Sequence, residues 1–250
     1  GGYFDYGRQG TSTTHILQKI LTKLEESYHV FLTPTGFGSV FLAIFSIVRP
    51  GDEILTADPV YNPTRMLTQD YLTEFGIKTT FYNPHDLNSI KKNITKKTKL
   101  IFVENPGSNT FEFQDLSKII SIAKKNRIFT AIDNTWATPY FFKPMKLGFD
   151  MSIVSATKYY SGHSDVMGGS LAVNRKVFKH VEKAQKIIGL RLGPDDAYLI
   201  TRGLRTLDVR LDKHQENARK VAEFLSKNKK VKLLYPYKKG SLNYKLWKKY

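Results

Sequence analysis

The chain has 250 residues, 41% of them hydrophobic, with a net charge of +17 and no cysteine. Disulfides, thiolate catalysis and Cys-ligated zinc are excluded, and the longest apolar run, residues 40–48, is about half of what a bilayer span needs. The lysines are scattered over helix faces and loops without a recognition motif, so we expect a solvated surface and neither a nucleic-acid nor a membrane partner.

The start of the chain indicates an incomplete N-terminus. The sequence begins at Gly1 without a methionine, and no charged segment followed by an apolar core opens it. We therefore predict no signal peptide and expect a cytoplasmic protein, which the lack of cysteine also suits.

Strand-like runs alternate with helical runs up to residue 174. Strands are predicted at 52–58, 78–83, 99–105, 128–133, 151–156 and 169–174. Helices are predicted at 62–76, closed by Gly76, and at 115–126, with Asp115 as the N-cap. This alternation predicts an α/β fold with βαβ units and a mostly parallel sheet, whose apolar strands are buried on both faces.

The pattern becomes helical after Asn174. Helical segments are predicted at 176–189, 194–207 and 208–228. The run KVKLLYPY at 230–237 then predicts a further strand, and with it the beginning of a new domain near Lys230.

Reactive side chains follow two of the predicted strands. Asp133 ends one strand, and Ser155, Thr157 and Lys158 follow the next. Ligands of open parallel sheets bind at the carboxyl ends of the strands. The charge of a lysine resists burial. The position of Lys158 directly after an apolar strand therefore indicates an amine that takes part in a reaction.

A phosphate site is predicted beside these residues. The segment TPTGFGS at 33–39 leads into an apolar helix, and glycines at a helix start let backbone amides approach an anion that the helix dipole favours. Gly36 and Phe37, together with Ser155 and Thr157, are the predicted phosphate contacts.

These parts fit pyridoxal phosphate (PLP), which carries a phosphate, a basic ring nitrogen and an aldehyde. Lys158 would form the Schiff base, Asp133 would pair with the protonated nitrogen, and Tyr61 could stack on the ring. Taken singly, a glycine turn, a strand-end aspartate or a turn tyrosine is commonly structural, and a loop histidine such as His163 usually is. The joint occurrence at successive strand ends favours the cofactor site.

At these residues the sequence resembles the Cys/Met-metabolism family of PLP-dependent enzymes. The resemblance runs through YGRQGT (6–11), LTPTGFGS (32–39), GDEILTADPVY (51–61), ENPGSNTFE (104–112), AIDNTWATP (131–139), SATKYYSGHSD (155–165) and RGLRTLDVR (202–210). It implies the aspartate-aminotransferase-type PLP fold type I. The implied organisation is an N-terminal arm remnant at 1–14, a PLP-binding large domain at 15–207, and a connecting helix with the start of a largely missing small domain at 208–250.

The resemblance also implies roles for individual residues. Lys158 corresponds to the Schiff-base lysine and proton shuttle, Asp133 to the pyridinium partner, and Tyr61 to the ring-stacking tyrosine that helps proton transfer. Tyr6 and Arg8 correspond to residues that reach the phosphate of a neighbouring subunit. A homodimer would then be the smallest active unit, commonly paired into a homotetramer.

Within the family, the segment after Glu104 favours a β-lyase. Members that act at the γ-carbon carry an asparagine where Ser108 stands here, whereas PGS, Trp136 and SATKY are similar to bacterial cystathionine β-lyase. We therefore expect cleavage of cystathionine, or another small sulfur amino acid, to homocysteine, pyruvate and ammonia. The alternatives are a cystathionine γ-synthase, γ-lyase or methionine γ-lyase, and a non-enzymatic PLP-fold regulator or inactive fragment.

The arginine that binds the substrate carboxylate in the family is expected beyond Tyr250. Arg202, Arg205 and Arg210 are interpreted as structural ion-pair residues and not as that arginine. The chain as it stands is then expected to bind PLP poorly and to turn over little, so the predicted activity belongs to a longer parent.

Overall fold

A seven-stranded sheet organises the chain in the computed structural model, which describes residues 6–236, 239–240 and 243–250. The strands are β1 (His29–Thr33), β2 (Glu53–Ala57), β3 (Lys78–Tyr82), β4 (Thr98–Glu104), β5 (Phe129–Asp133), β6 (Met151–Val154) and β7 (Gly169–Val173). Their order across the sheet is β1-β7-β6-β5-β4-β2-β3. Only β7 runs antiparallel to its neighbours, so the predicted mostly parallel sheet is confirmed.

Helices cover both faces of this sheet. They are α1 (Ser12–Glu25), α2 (Gly36–Ile47), α3 (Asn62–Met66), α4 (Leu72–Glu74), α5 (Leu87–Asn93), α6 (Leu116–Lys125), α7 (Thr138–Phe141), α8 (Pro144–Leu147), α9 (Arg175–Ile188), α10 (Pro194–Leu204), α11 (Leu207–Ser226) and α12 (Tyr244–Lys249). A short 3₁₀ turn spans Gly7–Gln9, and a π-helical stretch, Leu67–Tyr71, joins α3 to α4. Within the described part of the chain, no helix is both long and apolar enough to cross a membrane.

The predicted helix ends are present. The helical stretch from Asn62 stops before Gly76, which adopts a left-handed φ of 71° that a side chain would disfavour. The Asp115 carboxylate accepts a hydrogen bond from the backbone amide of Lys118 at 3.4 Å, as an N-cap should. Local sequence chemistry therefore fixes these boundaries.

The strand predicted at 230–237 is wrong. Residues 231–235 have no regular structure, and Tyr237 lies outside the described residues. A strand needs a partner for its backbone amides and carbonyls, and the sheet ends at β1 and β3 without pairing to this segment. The apolar pattern alone was therefore insufficient, and the domain division predicted at residues 14 and 207 stays a prediction.

The core lies on both faces of the sheet. Side chains alternate along a strand, so Leu100 packs with helices α2 and α9 while its neighbour Ile101 packs with α6. A third apolar group joins α1 and α10 to the sheet edge at β1 through residues such as Leu21 and Val30. The buried strands confirm the expectation from their continuous apolar runs.

Gly203 of α10 fits tightly against the chain that follows β6. A Cβ at this position would collide with the carbonyl oxygens of Tyr160 and Ser161. We expect Gly203→Ala to lower the free energy of unfolding by about 2 kcal/mol, because backbone cannot move aside cheaply. Urea denaturation measures this change, with Gly7→Ala as the control, since a Cβ at Gly7 meets nothing within 4 Å. Equal stabilities of the two variants would contradict the prediction.

Candidate active site

A cleft of about 1270 Å³ opens at the carboxyl ends of β4, β5 and β6, beside the N-terminus of α2. It brings together all the predicted site residues except two. Those lining it are Gly36, Phe37, Tyr61, Asp133, Ser155, Thr157 and Lys158. The lysine and the aspartate, which come from different strands, therefore face the same space.

Lys158 lies on a tight helical turn that follows β6, here called the lysine turn (156–162). Its backbone amide donates to the carbonyl of Ser155 at 3.1 Å, and its own carbonyl accepts from Gly162 at 2.8 Å. The Lys158 side chain is exposed to the cleft, whereas Tyr160, two residues later, is fully buried. The turn thus directs the amine to the cleft and the ring to the core.

The N-terminus of α2 forms one wall of the cleft together with hydroxyl groups. The Thr35 side chain caps this helix by accepting from the amide of Gly38 at 2.9 Å. A Cβ on Gly36 would collide with the Ser155 side chain, so only glycine lets the helix approach so closely. Thr157 is held by the backbone amide of Gly168 at 3.0 Å. Unpaired helix amides beside hydroxyls suit a phosphate group.

Asp133 fits the ring nitrogen of the cofactor. Its carboxylate accepts from the backbone amide of Thr135 at 2.9 Å, and in the described part of the chain no Lys, Arg or His nitrogen lies within 4 Å of it. Burial raises the pKa of Asp133. A protonated pyridine nitrogen would supply the missing positive partner and favour the ionised carboxylate.

Glu104 is a site residue that the sequence analysis missed. It lies beside Asp133 in the register between β4 and β5, lines the cleft and accepts from the backbone amide of Tyr61 at 2.6 Å. Burial and the nearby Asp133 raise the pKa of Glu104. Its position at the end of a predicted apolar strand, like that of Asp133, was the available signal in the sequence.

The raised pKa of Glu104 predicts a pH dependence of stability. Above its ordinary value of 4.5, the unfolded chain releases a proton that the folded chain retains, so the free energy of unfolding falls as pH rises toward neutral. We expect Glu104→Gln to reduce that fall by roughly 1–3 kcal/mol. Urea denaturation of the cofactor-free protein between pH 5 and 8 measures it. A decline as steep as in the unchanged protein would contradict the prediction.

Tyr61 and Ser108 are both tied to Glu104. Tyr61 directly precedes α3, and its side chain is half exposed in the cleft. The Ser108 hydroxyl hydrogen-bonds to Glu104, and the Ser108 amide donates to the carbonyl of Pro59 at 2.6 Å. Glu104 therefore connects the loop that carries Tyr61 with the segment that carries Ser108. That segment is the one from which the sequence analysis distinguished a β-lyase from enzymes that act at the γ-carbon.

Tyr6 and Arg8 do not reach the cleft of their own chain. Tyr6 is 59% exposed, and Arg8 donates to the carbonyl of Lys186 on α9 at 3.1 Å. Their predicted contact with the phosphate of a neighbouring subunit stays a prediction. His163 hydrogen-bonds through Nδ1 to the carbonyl of Ser161 at 2.6 Å, in keeping with a structural residue.

Two arginines of the 202–210 segment, Arg202 and Arg210, have structural contacts, whereas the interpretation of Arg205 stays a prediction. Arg202 forms an ion pair with Asp165 at 2.7 Å. Arg210 lines the cleft but donates to the carbonyls of Tyr159 at 2.9 Å and Gly203 at 2.8 Å. The Arg210 side chain therefore fastens α11 to the lysine turn through Tyr159 and to α10 through Gly203, where the sequence analysis expected an ion pair.

Comparisons with known proteins agree with this geometry. The chain is 38% identical to a putative cystathionine β-lyase of Rhizobium johnstonii over 98% of its own length and 62% of the relative. It is 36% identical to an L-alanine/L-glutamate racemase of Wolbachia pipientis, covering 99% of this chain and 61% of that one. The crystal structure of cystathionine γ-lyase from Lactobacillus plantarum complexed with L-serine superposes with a TM-score of 0.96 at 30% identity, covering 99% of this chain and 65% of that one.

The chain thus spans about three fifths of the length of the curated relatives it matches. The model of the family described as Cys/Met metabolism PLP-dependent enzymes matches residues 1–250. The predicted fold class and the predicted cofactor are both confirmed by this family and its solved structures. The chain belongs to the Cys/Met metabolism family of PLP-dependent enzymes, and its sheet and helices are the large-domain fold of PLP fold type I.

Proposed function

We propose that this chain carries the catalytic centre of a carbon–sulfur β-lyase that converts cystathionine and one water molecule to homocysteine, pyruvate and ammonia. The observation that carries the proposal is one cleft that presents the Lys158 amine, the Asp133 carboxylate and the N-terminus of α2 together. A non-enzymatic binding protein would not need both the amine and the carboxylate.

The protein's own groups would hold PLP at three points. The amides at the start of α2, with Ser155 and Thr157, would bind its phosphate. Asp133 would keep the ring nitrogen protonated, and Lys158 would attach to the aldehyde. When bound, PLP captures the substrate amine and delocalises the electron pair left at its α-carbon.

Proton transfer would fall to Lys158 and Tyr61. The Lys158 amine, once displaced by the substrate amine, would take the α-proton as a general base. Lys158 or the Tyr61 hydroxyl would then protonate the sulfur as the Cβ–S bond breaks. Trp136 and Tyr159 also line the cleft and would limit the access of water to it.

The Ser108 position supports elimination at the β-carbon. Ser108 directs its hydroxyl to Glu104, whereas members that act at the γ-carbon carry an asparagine amide at this position. The second candidate is γ-elimination, favoured by the fold match to a cystathionine γ-lyase at a TM-score of 0.96. Both reactions begin with removal of the α-proton, so the products separate them.

The proposed assembly is a homodimer, paired into a homotetramer. Tyr6 and Arg8 lie away from the cleft of their own chain, which supports a role at the phosphate of a second subunit. In that arrangement two clefts would each be completed by the partner's N-terminal arm.

Product analysis tests the reaction. The chain is incubated with PLP and L-cystathionine, and the keto acids are separated by chromatography. Pyruvate with homocysteine is the expected result. Formation of 2-oxobutyrate would replace the β-lyase with the γ-lyase, and racemisation of L-alanine without any keto acid would favour the activity of the Wolbachia relative. Because the chain as it stands is expected to turn over little, the same assay on the complete reading frame decides the reaction where this chain forms no keto acid.

A further inference from the structure

A carboxylic side chain is buried behind the lysine turn, and the proposed reaction does not use it. Glu25 is the last residue of α1 and has no exposed surface. Its Oε1 accepts hydrogen bonds from the hydroxyls of Tyr160 at 3.4 Å and Ser152 at 3.5 Å. Its Oε2 is buried with no hydrogen-bond partner among the described residues.

Burial of Glu25 favours its uncharged form and outweighs the hydroxyl groups and the one ammonium group around it, which favour the charged form. Strand β6 presents Ser152, the lysine turn presents Tyr160, and β7 presents Ser170, which hydrogen-bonds to Tyr160. The charged group acting on it is Lys143, between α7 and α8, and that ammonium is bound to Glu26 at 2.5 Å. Burial raises the pKa of Glu25 to about 8. At neutral pH the carboxyl is therefore protonated.

Tyr160 links this carboxyl to the reactive lysine. It lies on the lysine turn, where Ser161 donates to the carbonyl of Ala156 at 3.0 Å and Gly162 donates to that of Lys158 at 2.8 Å. The Tyr160 ring is fully buried among apolar residues of α1 and the sheet. Fixing the end of this ring also fixes the backbone from which the Lys158 amine extends.

We infer that Glu25 is a positioning residue whose uncharged carboxyl holds Tyr160, and through it the lysine turn, in place for Lys158 to capture the cofactor. This inference rests on the role proposed for Lys158. We further expect ionisation of Glu25, which lies outside the cleft, to loosen the lysine turn, because the charged carboxylate would be buried with no cation in contact. The lysine turn should therefore loosen as the pH rises, because the site accommodates the neutral form of Glu25.

Four single variants test this role. Glu25→Gln keeps an acceptor oxygen for both hydroxyls and cannot ionise, so it imitates the protonated acid. Glu25→Ala and Tyr160→Phe each remove the hydrogen bond. Glu74→Gln is the matched control, because Glu74 is likewise the last residue of a helix, α4, and is exposed.

Two readouts are taken. Hydrogen exchange of the Ser161 and Gly162 amides in the cofactor-free protein reports on the turn. Borohydride trapping of PLP on Lys158, followed by mass spectrometry, reports on capture. At pH 7 we expect Glu25→Ala and Tyr160→Phe to lower amide protection and trapping rate by about tenfold, the loss of one buried hydrogen bond, while Glu25→Gln and Glu74→Gln retain both. Between pH 7 and 9, protection should fall in the unchanged protein and persist in Glu25→Gln.

The outcomes separate this inference from the proposed reaction. It is overturned if Glu25→Gln is as impaired as Glu25→Ala, or if Tyr160→Phe matches the Glu74→Gln control in both readouts. Should Glu25→Ala not fold, the other variants decide. Trapping on Lys158 with no cystathionine cleavage would count against the β-lyase alone. Failure to trap any PLP on Lys158 in the unchanged protein would contradict both.

Discussion

Replacing Lys158 with alanine is expected to remove turnover of cystathionine by at least about 1000-fold. The amine is proposed both to attach the cofactor and to carry the α-proton, and positioned general bases alone contribute about 10²–10⁴-fold. Rates of keto-acid formation by the unchanged protein and the variant measure the effect. Borohydride reduction followed by peptide mapping should place a PLP adduct on the peptide containing residue 158 and lose that adduct in the variant.

Two further variants make this test specific. Lys146→Ala removes another lysine, whose side chain is 73% exposed and lies outside the cleft, and it should leave the adduct and turnover unchanged. Lys158→Arg retains the charge but cannot attach to the aldehyde, so it should be as inactive as Lys158→Ala. A Lys158→Ala protein that still carries a reducible PLP adduct at full stoichiometry would refute the assignment.

Replacing Asp133 with alanine is expected to weaken PLP binding and to lower turnover by roughly 10²–10³-fold. The carboxylate would stabilise the protonated ring nitrogen, and that protonation lets the ring accept electrons from the α-carbon. Titration of the cofactor-free protein with PLP, followed by its visible absorbance, measures the affinity. Steady-state rates at saturating PLP separate the loss of binding from the loss of chemistry.

The control for Asp133 is Asp133→Glu, which retains a carboxylate one methylene farther along and should recover part of the turnover. Asp165→Asn provides a second comparison, because Asp165 also lines the cleft but is paired with Arg202. If Asp133→Ala retained the turnover of the unchanged protein at saturating PLP, Asp133 would not be the partner of the ring nitrogen.

Much of this site could be predicted from the residues at the ends of the apolar strands. Asp133 ends one apolar run and Lys158 follows another; such runs are typical of strands in a parallel sheet, which collects its carboxyl ends at one edge. Gly36 was predictable because a helix that begins on glycine lets backbone amides approach an anion. In these cases short stretches of sequence specify both the element and the direction of the side chain.

Other features depend on distant packing. Glu104 belongs to the site because β4 and β5 align it with Asp133, and that register is not encoded in either strand alone. Glu25 is buried by elements more than 100 residues away in sequence. The prediction at 230–237 was wrong for a similar reason, because its apolar run favoured a strand but the described part of the segment pairs with neither edge of the sheet.

The guanidinium of Arg210 connects helix α11 to the lysine turn. It sits near the start of a helix of 20 residues, and it packs so closely that a Cβ on Gly162 would overlap it. Tilting the first turns of α11 would strain the two carbonyl bonds that Arg210 makes. A displacement of the first turn of α11 would therefore also displace the lysine turn, through the hydrogen bond from Arg210 to Tyr159.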